Sequence, residues 1–144
     1  MKQFNITQVT WREAHKPLRA VRSQVFIDEQ QVPVALEWDD ADEIAHHLLV
    51  LDDQAKPIAC ARLLNNGSIG RMAVLKGWRG LGLGSALLTK AISLQQQQGW
   101  QMISLSAQMH AVSFYQRAGF VVIGQPYLDA NIWHVDMQLY LIRP

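Results

Sequence analysis

The residues best suited to chemistry form a glycine-rich segment in the middle of the chain. Arg79 is followed by glycines at positions 80, 82 and 84, and Ser85 then opens a run with helical hydrophobic spacing. A helix N-terminus carries unpaired N–H groups and a partial positive charge, and glycines let a ligand approach the backbone. Arginine adds a fixed cation with several donors. The segment predicts a phosphate or pyrophosphate site, the alternative being a glycine turn that serves tight packing alone.

Two common phosphate ligands are disfavoured by the residues around this loop. A Walker loop requires Gly-Lys followed by Ser or Thr, and no lysine lies between Lys76 and Lys90. A dinucleotide-binding loop requires G-x-G-x-x-G and an acidic residue about 20 positions later. This loop reads G-x-G-x-G, and no Asp or Glu occurs from Ser85 to Leu128. ATP and NAD are therefore poor candidates.

Length and composition limit the class of protein. A chain of 144 residues predicts one domain, here residues 1–144, and 49% hydrophobic residues are typical of a globular protein. The net charge of +1 lacks the basic excess of a nucleic-acid-binding protein. The single cysteine, Cys60, lies among apolar neighbours and predicts a small buried side chain. Since neither a signal peptide nor a membrane span is recognisable, we expect a cytoplasmic protein without nucleic-acid or membrane partners.

Hydrophobic patterning places the glycine-rich loop between a strand and a helix. A Thr10–Glu13 capping box opens a first helix, and further helices are predicted from about 85 to 98 and within 110–119. Strands are predicted at 4–9, 47–51, 57–64, 68–75, 101–107, 120–125 and 133–142. This order predicts an α/β (α+β) fold with antiparallel hairpins in its middle, and excludes a repeating βαβ fold.

Several motifs together resemble one family. The pattern R-x-x-G-x-G at Arg79, Gly82 and Gly84 resembles the coenzyme A signature of the GNAT superfamily of acetyl-CoA-dependent N-acetyltransferases. SFYQRAGF (113–120) is similar to the second signature of that family, and the order of elements matches over nearly the whole chain. VFIDEQQVP, the acidic stretch that follows it and NIWHVDMQL resemble the ElaA-like branch. Many members of the family carry Asn seven residues before the tyrosine of this helix. This chain has Gln108 at that position instead.

The resemblance implies a fold and a cofactor. The fold would be a single GNAT-like domain with a mixed, mostly antiparallel sheet of six to seven strands, flanked by helices, in which a splayed central strand pair holds acetyl-CoA. The pantetheine arm would pair with the backbone of one splayed strand, and the pyrophosphate would meet the N–H groups of the loop. No metal is implied. The implied cofactor-binding residues are Met72, Ala73, Val74, Arg79, Gly80, Leu81, Gly82, Leu83, Gly84, Ser85, Gln108 and Tyr115.

The resemblance also implies direct attack of a primary amine on the acetyl carbonyl. Tyr115 matches the family tyrosine that protonates the leaving thiolate, and the backbone N–H near Val74 would polarise the carbonyl. An alkylammonium group, with a pKa of about 10.4, must first lose a proton. This proton passes either to a water chain or to a basic side chain. The sequence does not choose among the candidate bases Glu29, Glu37, His110 and His134.

One feature of the sequence, a cluster of acidic residues, bears on the identity of the amine acceptor. Seven of the twelve acidic residues fall between Asp28 and Glu43, and no Lys or Arg occurs between Arg22 and Lys56. This stretch is either a solvated loop or a negatively charged entrance for a cationic amine. The candidate acceptors are a polyamine, an aminoglycoside-like molecule, a lysine side chain and a peptide N-terminus.

The sequence is compatible with two alternative functions and with two oligomeric states. One alternative is a non-catalytic acetyl-CoA sensor of the same fold, and the other is an acyltransferase that uses a longer acyl-CoA. The hydrophobic C-terminal strand permits a homodimer through sheet edges without requiring one, so a monomer is equally compatible with the sequence.

Overall fold

The computed structural model describes residues 4–141, which form seven strands, five α-helices and three further helical turns. The strands are β1 (Phe4–Val9), β2 (His46–Asp52), β3 (Pro57–Leu63), β4 (Ile69–Val74), β5 (Met102–Gln108), β6 (Val121–Asp129) and β7 (Ile132–Tyr140). The α-helices are α1 (Trp11–Arg22), α2 (Val34–Glu37), α3 (Ala41–Ile44), α4 (Leu83–Gln97) and α5 (Val112–Arg117). A π-helical turn, Ser23–Glu29, continues α1, and 3₁₀ turns occupy Lys76–Trp78 and Met109–Ala111.

These elements agree closely with the sequence-based prediction, apart from the acidic stretch and the end of the last strand. The α1 capping box forms as expected, since Thr10 accepts from the Glu13 backbone and Glu13 reaches back to the Thr10 backbone. The stretch between Asp28 and Glu43 is not a featureless loop, because it contains the end of the π-helical turn and two short helices. Ile142, the predicted end of the last strand, lies outside the described residues.

The strands form two antiparallel sheets. The first has the order β1-β2-β3-β4 and the second the order β5-β7-β6. Within residues 4–141, one parallel bridge, Ser68 to Ser104, joins the sheets at the N-terminal ends of β4 and β5. Beyond this bridge the two strands separate. The mixed α/β class, the seven mostly antiparallel strands and the splayed central pair are therefore confirmed, while the single sheet of the prediction is divided in two.

Two apolar cores hold the layers together. The larger lies between the sheets and α4 and includes Leu48, Leu87 and Met137, which are fully buried. The smaller packs α1 and the π-helical turn onto the other face of the first sheet, where Leu18 meets Leu49 and Cys60. Successive residues of β2 thus face opposite cores, as the two-residue period of a strand requires.

An ionic cluster of six residues, four of them buried, fastens the acidic stretch to the rest of the fold. At its centre is Arg22, the last residue of α1, which is 1% exposed. Arg22 donates through Nε to Glu37 and through Nη1 to Asp42, both at 2.7 Å, and donates also to the Glu37 carbonyl at 2.9 Å. All three side chains are buried. Because a buried charge is stable only when it is paired and hydrogen-bonded, these contacts are obligatory partners.

Two further arginines complete the ionic cluster from the first sheet. Arg62 of β3 donates to Asp39 at 2.7 Å and to Asp42 at 3.1 Å. Arg71 of β4 contacts the carboxylates of Glu37 at 3.2 Å and Asp39 at 3.4 Å. The members of the ionic cluster are Arg22, Glu37, Asp39, Asp42, Arg62 and Arg71.

The ionic cluster corrects one expectation about the acidic stretch. Its carboxylates at positions 37, 39 and 42 pair with arginines from α1, β3 and β4, so they offer no unpaired negative field to a cationic acceptor. The prediction of an acidic entrance built from this stretch is wrong for these three residues. Their arginine partners lie between 15 and 34 positions away in sequence. The charges of neighbouring residues in the sequence therefore do not predict these ion pairs.

Replacement of Arg22 by Met tests the ionic cluster. The variant leaves two buried carboxylates without their shared cation, and we expect a loss of about 3–5 kcal/mol in the free energy of unfolding. Arg12→Met is the matched control, because Arg12 lies on the same helix and is exposed. Chemical denaturation of the two variants measures the difference. Equal denaturation midpoints would show that the ionic cluster contributes little to stability.

Candidate functional site

A cleft of about 950 Å³ opens where β4 and β5 separate. Strand β4 forms one wall, the polar face of the second sheet forms the other, and the π-helical turn and α2 border it. Of the residues selected from sequence, those lining the cleft are Glu29, Glu37, Met72, Ala73, Val74, Arg79, Gln108, His110, Tyr115 and His134. The loop residues 80–85 follow Arg79 and lie outside the lining.

The cleft wall at β4 is shaped by a β-bulge. Cys60 pairs with Ala73 and Arg62 with Gly70, so two β4 residues oppose a single β3 residue between them. The bulge places Arg71 at a φ of +45°, a conformation that non-glycine residues rarely adopt. The Arg71 side chain donates to the Leu36 and Glu37 carbonyls, which ties the strained strand to α2. The ionic cluster thereby fixes the position of this wall.

Beyond the bulge, the Val74 backbone faces the cleft. The N–H of Leu75 donates to the Ile58 carbonyl at 2.9 Å. Because hydrogen-bonded and non-hydrogen-bonded pairs alternate in an antiparallel ladder, the adjoining Val74–Ala59 pair directs its N–H and C=O groups away from each other. The Val74 carbonyl accepts from Nε of Arg79 at 2.9 Å. The N–H of Val74 is thus a backbone donor on the side where the sheets part.

The glycine-rich loop leads into the first turn of α4. Gly82 caps this helix with a φ of +83°, and Gly80 has a φ of +76°. A Cβ added at either position would meet nothing within 4 Å. These two glycines therefore serve the left-handed backbone and leave open space in front of the loop, which disfavours the tight-packing alternative. Such a loop suits the close approach of a diphosphate to the helix N-terminus.

Arg79 has a partner that the sequence analysis did not identify. Its Nη1 and Nη2 atoms donate to the two carboxylate oxygens of Glu29 at 2.7 and 2.8 Å. With Nε on the Val74 carbonyl, three of its five N–H donors are engaged. Arg79 therefore cross-links the π-helical turn to β4, rather than standing as an unpaired cation beside the loop.

The predicted carboxylate bases are poorly placed for proton transfer. The hydrogen bonds from Arg79 lower the pKa of Glu29, which favours its ionised form. Burial raises the pKa of Glu37 against the opposing effect of Arg71 and Arg22, but its carboxylate is held in the ionic cluster. His110 is exposed on the 3₁₀ turn after β5. The two carboxylates are thus structural ties across the cleft wall.

Tyr115 lies on α5, which follows β5, and its hydroxyl reaches back toward β4. The hydroxyl of Tyr115 donates a hydrogen bond to Sδ of Met72, with 3.9 Å between the oxygen and the sulfur. The ring packs edge-on against Phe114 and Phe120, with centroids 5.1 and 5.9 Å away. Burial raises the pKa of Tyr115 to about 12, so the hydroxyl stays protonated at neutral pH. This is the form that a proton donor requires.

A group of polar side chains on the second sheet was missed by the sequence analysis, except for His134. We call Ser106, Tyr127, His134 and Asp136 the Tyr127 cluster; all but Tyr127 are among the cleft-lining residues. Tyr127 donates to Asp136 at 2.6 Å, shares a hydrogen bond with Ser106 and stacks on the ring of His134. Alternation of polar and apolar residues along β5 and β7 was the available signal, because it places every second residue on one face.

No group of three or more His, Cys, Asp and Glu side chains within 4–141 is arranged to hold a metal ion. None of the helices in the described range has the length and apolarity needed to cross a membrane. Cys60 is 1% exposed, and burial raises its pKa to about 12, which confirms its predicted role as a buried small side chain.

Comparisons with known proteins agree with this geometry. The family model described as an acetyltransferase (GNAT) domain matches residues 11–141. The uncharacterised N-acetyltransferase YjcF of Bacillus subtilis (strain 168) is 33% identical over 121 residues, which cover 81% of this chain and 86% of YjcF.

Two solved structures extend the comparison. An acyl-CoA N-acyltransferase from Pseudomonas aeruginosa is 31% identical, with a TM-score of 0.80 over 96% of this chain and 99% of that one. Escherichia coli ElaA is 26% identical, with a TM-score of 0.83 over 94% of this chain and 99% of ElaA. The family match, the relatives and the splayed-sheet cleft lead to one conclusion: the chain belongs to the GNAT family and is an acyltransferase.

Proposed function

We propose that this protein transfers an acetyl group from acetyl-CoA to a primary amine of a small molecule or peptide. The observation that carries the proposal is the protonated hydroxyl of Tyr115, directed at Met72 across the splayed β4–β5 pair. A thioester held along β4 would bring its sulfur to this hydroxyl. We also propose that residues 1–144 form a single N-acetyltransferase domain.

We assign acetyl-CoA to the cleft and the loop beside it. The edge of β4 at Met72, Ala73 and Val74 offers backbone groups that can pair with the pantetheine arm like an added strand. The N–H groups of Gly80, Leu81, Gly82, Leu83, Gly84 and Ser85 would hold the pyrophosphate. Gln108, at the end of β5, donates to Gln30 at 2.8 Å and would contact the arm from the opposite wall.

Arg79 would take part in cofactor binding in a modified way. Its pairing with Glu29 leaves two N–H donors that the contacts of the described residues do not use. A diphosphate beside the loop can use these donors or displace the Glu29 carboxylate, since that ion pair is partly exposed to solvent. Arg79 therefore remains a proposed phosphate ligand.

The reaction requires two separate proton movements. The acceptor ammonium loses a proton to a base, and the free amine forms a C–N bond with the acetyl carbonyl carbon. The N–H of Val74 would stabilise the resulting oxyanion. Collapse of the tetrahedral intermediate breaks the C–S bond, the sulfur takes the proton of Tyr115, and the proton lost by the amide nitrogen restores the tyrosine.

The raised pKa of Tyr115 constrains the timing of its proton transfer. A thiol has a pKa of about 8.5, so a tyrosine with a pKa of about 12 does not fully protonate a free thiolate on its own. Proton transfer becomes favourable when the cationic amine nitrogen of the intermediate releases its proton to the tyrosinate at the same time. Tyr115 then acts as a relay at the leaving sulfur.

A longer acyl group is the second candidate substrate. The Pseudomonas aeruginosa relative is described as an acyl-CoA N-acyltransferase, without restriction to acetyl groups. A non-catalytic sensor would bind coenzyme A without turnover. These two possibilities and acetyl transfer are distinguished by an assay in which a panel of primary amines is mixed with acetyl-CoA or with longer acyl-CoA thioesters. The release of the coenzyme A thiol is measured. We expect fastest thiol release with acetyl-CoA, and binding without release for any amine would favour the sensor.

Gly82→Ala tests the proposed diphosphate site. We expect the dissociation constant of acetyl-CoA to rise at least about tenfold, or about 1.4 kcal/mol, because the methyl group restricts access to the loop. Gly99→Ala is a matched control, because Gly99 has a φ of +96° and equally open space. It lies at the other end of α4, about 22 Å away. Calorimetric titration measures affinity, and equal affinities in both variants would contradict the assignment.

Tyr115→Phe tests the proton donor. We expect kcat to fall by about 10²–10⁴, the range for one proton-transfer group, while acetyl-CoA affinity is retained. Tyr140→Phe is the control, because this exposed tyrosine bonds only to Gln138 on its own strand in the described contacts. Unchanged single-turnover rates in Tyr115→Phe would assign the tyrosine a packing role alone.

A further inference from the structure

The Tyr127 cluster lies on the cleft wall opposite β4, and none of its members is among the residues proposed above to hold acetyl-CoA. Cross-strand pairing brings it together, because Ser106 lies opposite Asp136 and Tyr127 lies opposite His134. The hydroxyl of Tyr127 donates to Oδ1 of Asp136 at 2.6 Å and is hydrogen-bonded to Oγ of Ser106. A hydrogen-bonded carboxylate is thus fixed in position on the face of the sheet.

An irregularity in β6 places Tyr127 in the cluster. Ile123 pairs with Asp136 and Tyr127 with His134, so four positions along β6 match only two along β7. Gly124 adopts a φ of +72° within this irregular segment. The two extra residues keep Tyr127 on the same face of the sheet while moving it level with His134. The arrangement is a local feature of the strand and not a consequence of regular pairing.

The tautomer of His134 follows from its hydrogen bond. Nδ1 lies 2.7 Å from the Ile132 carbonyl oxygen, and a carbonyl can only accept. Nδ1 therefore carries the hydrogen, and in the neutral ring Nε2 keeps a lone pair that can take a proton. The ring is further oriented by stacking on Tyr127, with centroids 6.1 Å apart and planes 19° apart.

Charge distribution distinguishes Asp136 from the carboxylates of the opposite wall. Glu29 pairs with Arg79, and Glu37 pairs with Arg22 and Arg71. For Asp136 no ion pair is present among residues 4–141, and the same holds for Asp129 at the end of β6. The second sheet thus presents negative charge to the cleft while the first wall is neutralised.

Apolar side chains adjoin the Tyr127 cluster. Ile123 is the cross-strand neighbour of Asp136, and Ile132 lies two residues before His134; both line the cleft. Phe26 and Leu36 line it from the π-helical turn and α2. A ligand placed here would therefore have a cationic end at Asp136 and an apolar body. A carboxylate next to its amine would be repelled by Asp136.

We propose that the Tyr127 cluster is the amine-acceptor site, and that the acceptor is a primary alkylamine with an apolar body and no carboxylate on the carbon bearing the amine. This inference rests on the proposed function. Asp136 binds the ammonium group, Tyr127 and Ser106 hold Asp136 in place, and Nε2 of His134 takes one proton from the ammonium. The neutral amine then attacks the thioester, and the protonated imidazole releases its proton to solvent.

Several ionisable groups surround His134 and bear on the choice of control variant. Tyr127 faces it from β6 and Asp136 lies two residues along its own strand, while Gln108 is its uncharged neighbour on β5. His110 and Asp129 line the same cleft, and the Glu29–Arg79 pair and the Glu37 and Arg71 members of the ionic cluster lie on its other walls. Variants must therefore be compared with a control that changes a nearby charge outside the cluster.

Phenethylamine and phenylalanine form a matched pair of acceptors, because they differ only by the carboxylate. We expect the wild-type protein to acetylate phenethylamine with a kcat/KM at least about tenfold higher than phenylalanine. Asp136→Asn should raise the KM for phenethylamine at least about tenfold, with unchanged acetyl-CoA affinity. Asp129→Asn is the control that removes a cleft carboxylate outside the Tyr127 cluster, and its KM should stay near the wild-type value.

His134→Gln separates proton transfer from a structural role. We expect kcat/KM to fall by about 10²–10⁴ at neutral pH. The loss should shrink as pH approaches the amine pKa of about 10.4, where the acceptor is increasingly unprotonated. A variant damaged only in structure would show no such recovery.

The outcomes distinguish the two levels of the proposal. Equal KM values for Asp136→Asn and Asp129→Asn, a wild-type pH profile in His134→Gln, or equal use of phenylalanine would each overturn the acceptor site while leaving acetyl transfer intact. Absence of transfer to every amine would instead overturn the proposed function. Calorimetric titration of phenethylammonium into the acetyl-CoA-loaded protein then decides the acceptor site, because weaker binding in Asp136→Asn alone supports it and equal binding rejects it.

Discussion

The parting of β4 and β5 is the constraint on which the site depends. These parallel strands meet at the Ser68–Ser104 bridge, after which their facing backbone edges no longer pair with each other. Buried N–H and C=O groups require partners, so an open edge must be filled by side chains, water or a ligand. Arg79 supplies one such partner at the Val74 carbonyl. The N–H of Val74 remains on the side of the cleft, where the proposed pantetheine arm would pair with it.

The charges around the cleft hold this geometry. The ionic cluster joins α1, α2, α3, β3 and β4, and the Glu29–Arg79 pair joins the π-helical turn to the loop after β4. Removing one partner from a buried pair leaves an uncompensated charge, so each contact constrains the others. The acidic stretch that resembled a substrate entrance thus serves mainly to fix the cleft walls. The negative charge available to a substrate lies on the opposite wall, in β6 and β7.

Local patterns were sufficient to predict the elements, and long-range pairing was the information that they lacked. Alternating hydrophobicity located the strands, the Thr10–Glu13 box located α1, and the glycine spacing located the start of α4 within two residues. The Glu29–Arg79 pair spans 50 positions, and the Tyr127–Asp136 bond depends on an irregular register in β6. Neither follows from composition or periodicity. The same limit explains why the sequence offers several candidate bases, since only the tertiary contacts show which carboxylates are neutralised.

Acid and base functions must belong to different groups in this cleft. A tyrosine with a pKa of about 12 is protonated throughout the neutral range, so Tyr115 cannot receive the first proton from an ammonium group. Nε2 of His134 can receive it, because the hydrogen bond from Nδ1 to the Ile132 carbonyl leaves the lone pair of the neutral ring at Nε2. The two groups lie on α5 and β7, and both line the cleft whose other wall is β4. Deprotonation of the nucleophile and protonation of the leaving group can therefore proceed at separate positions without one side chain cycling between them.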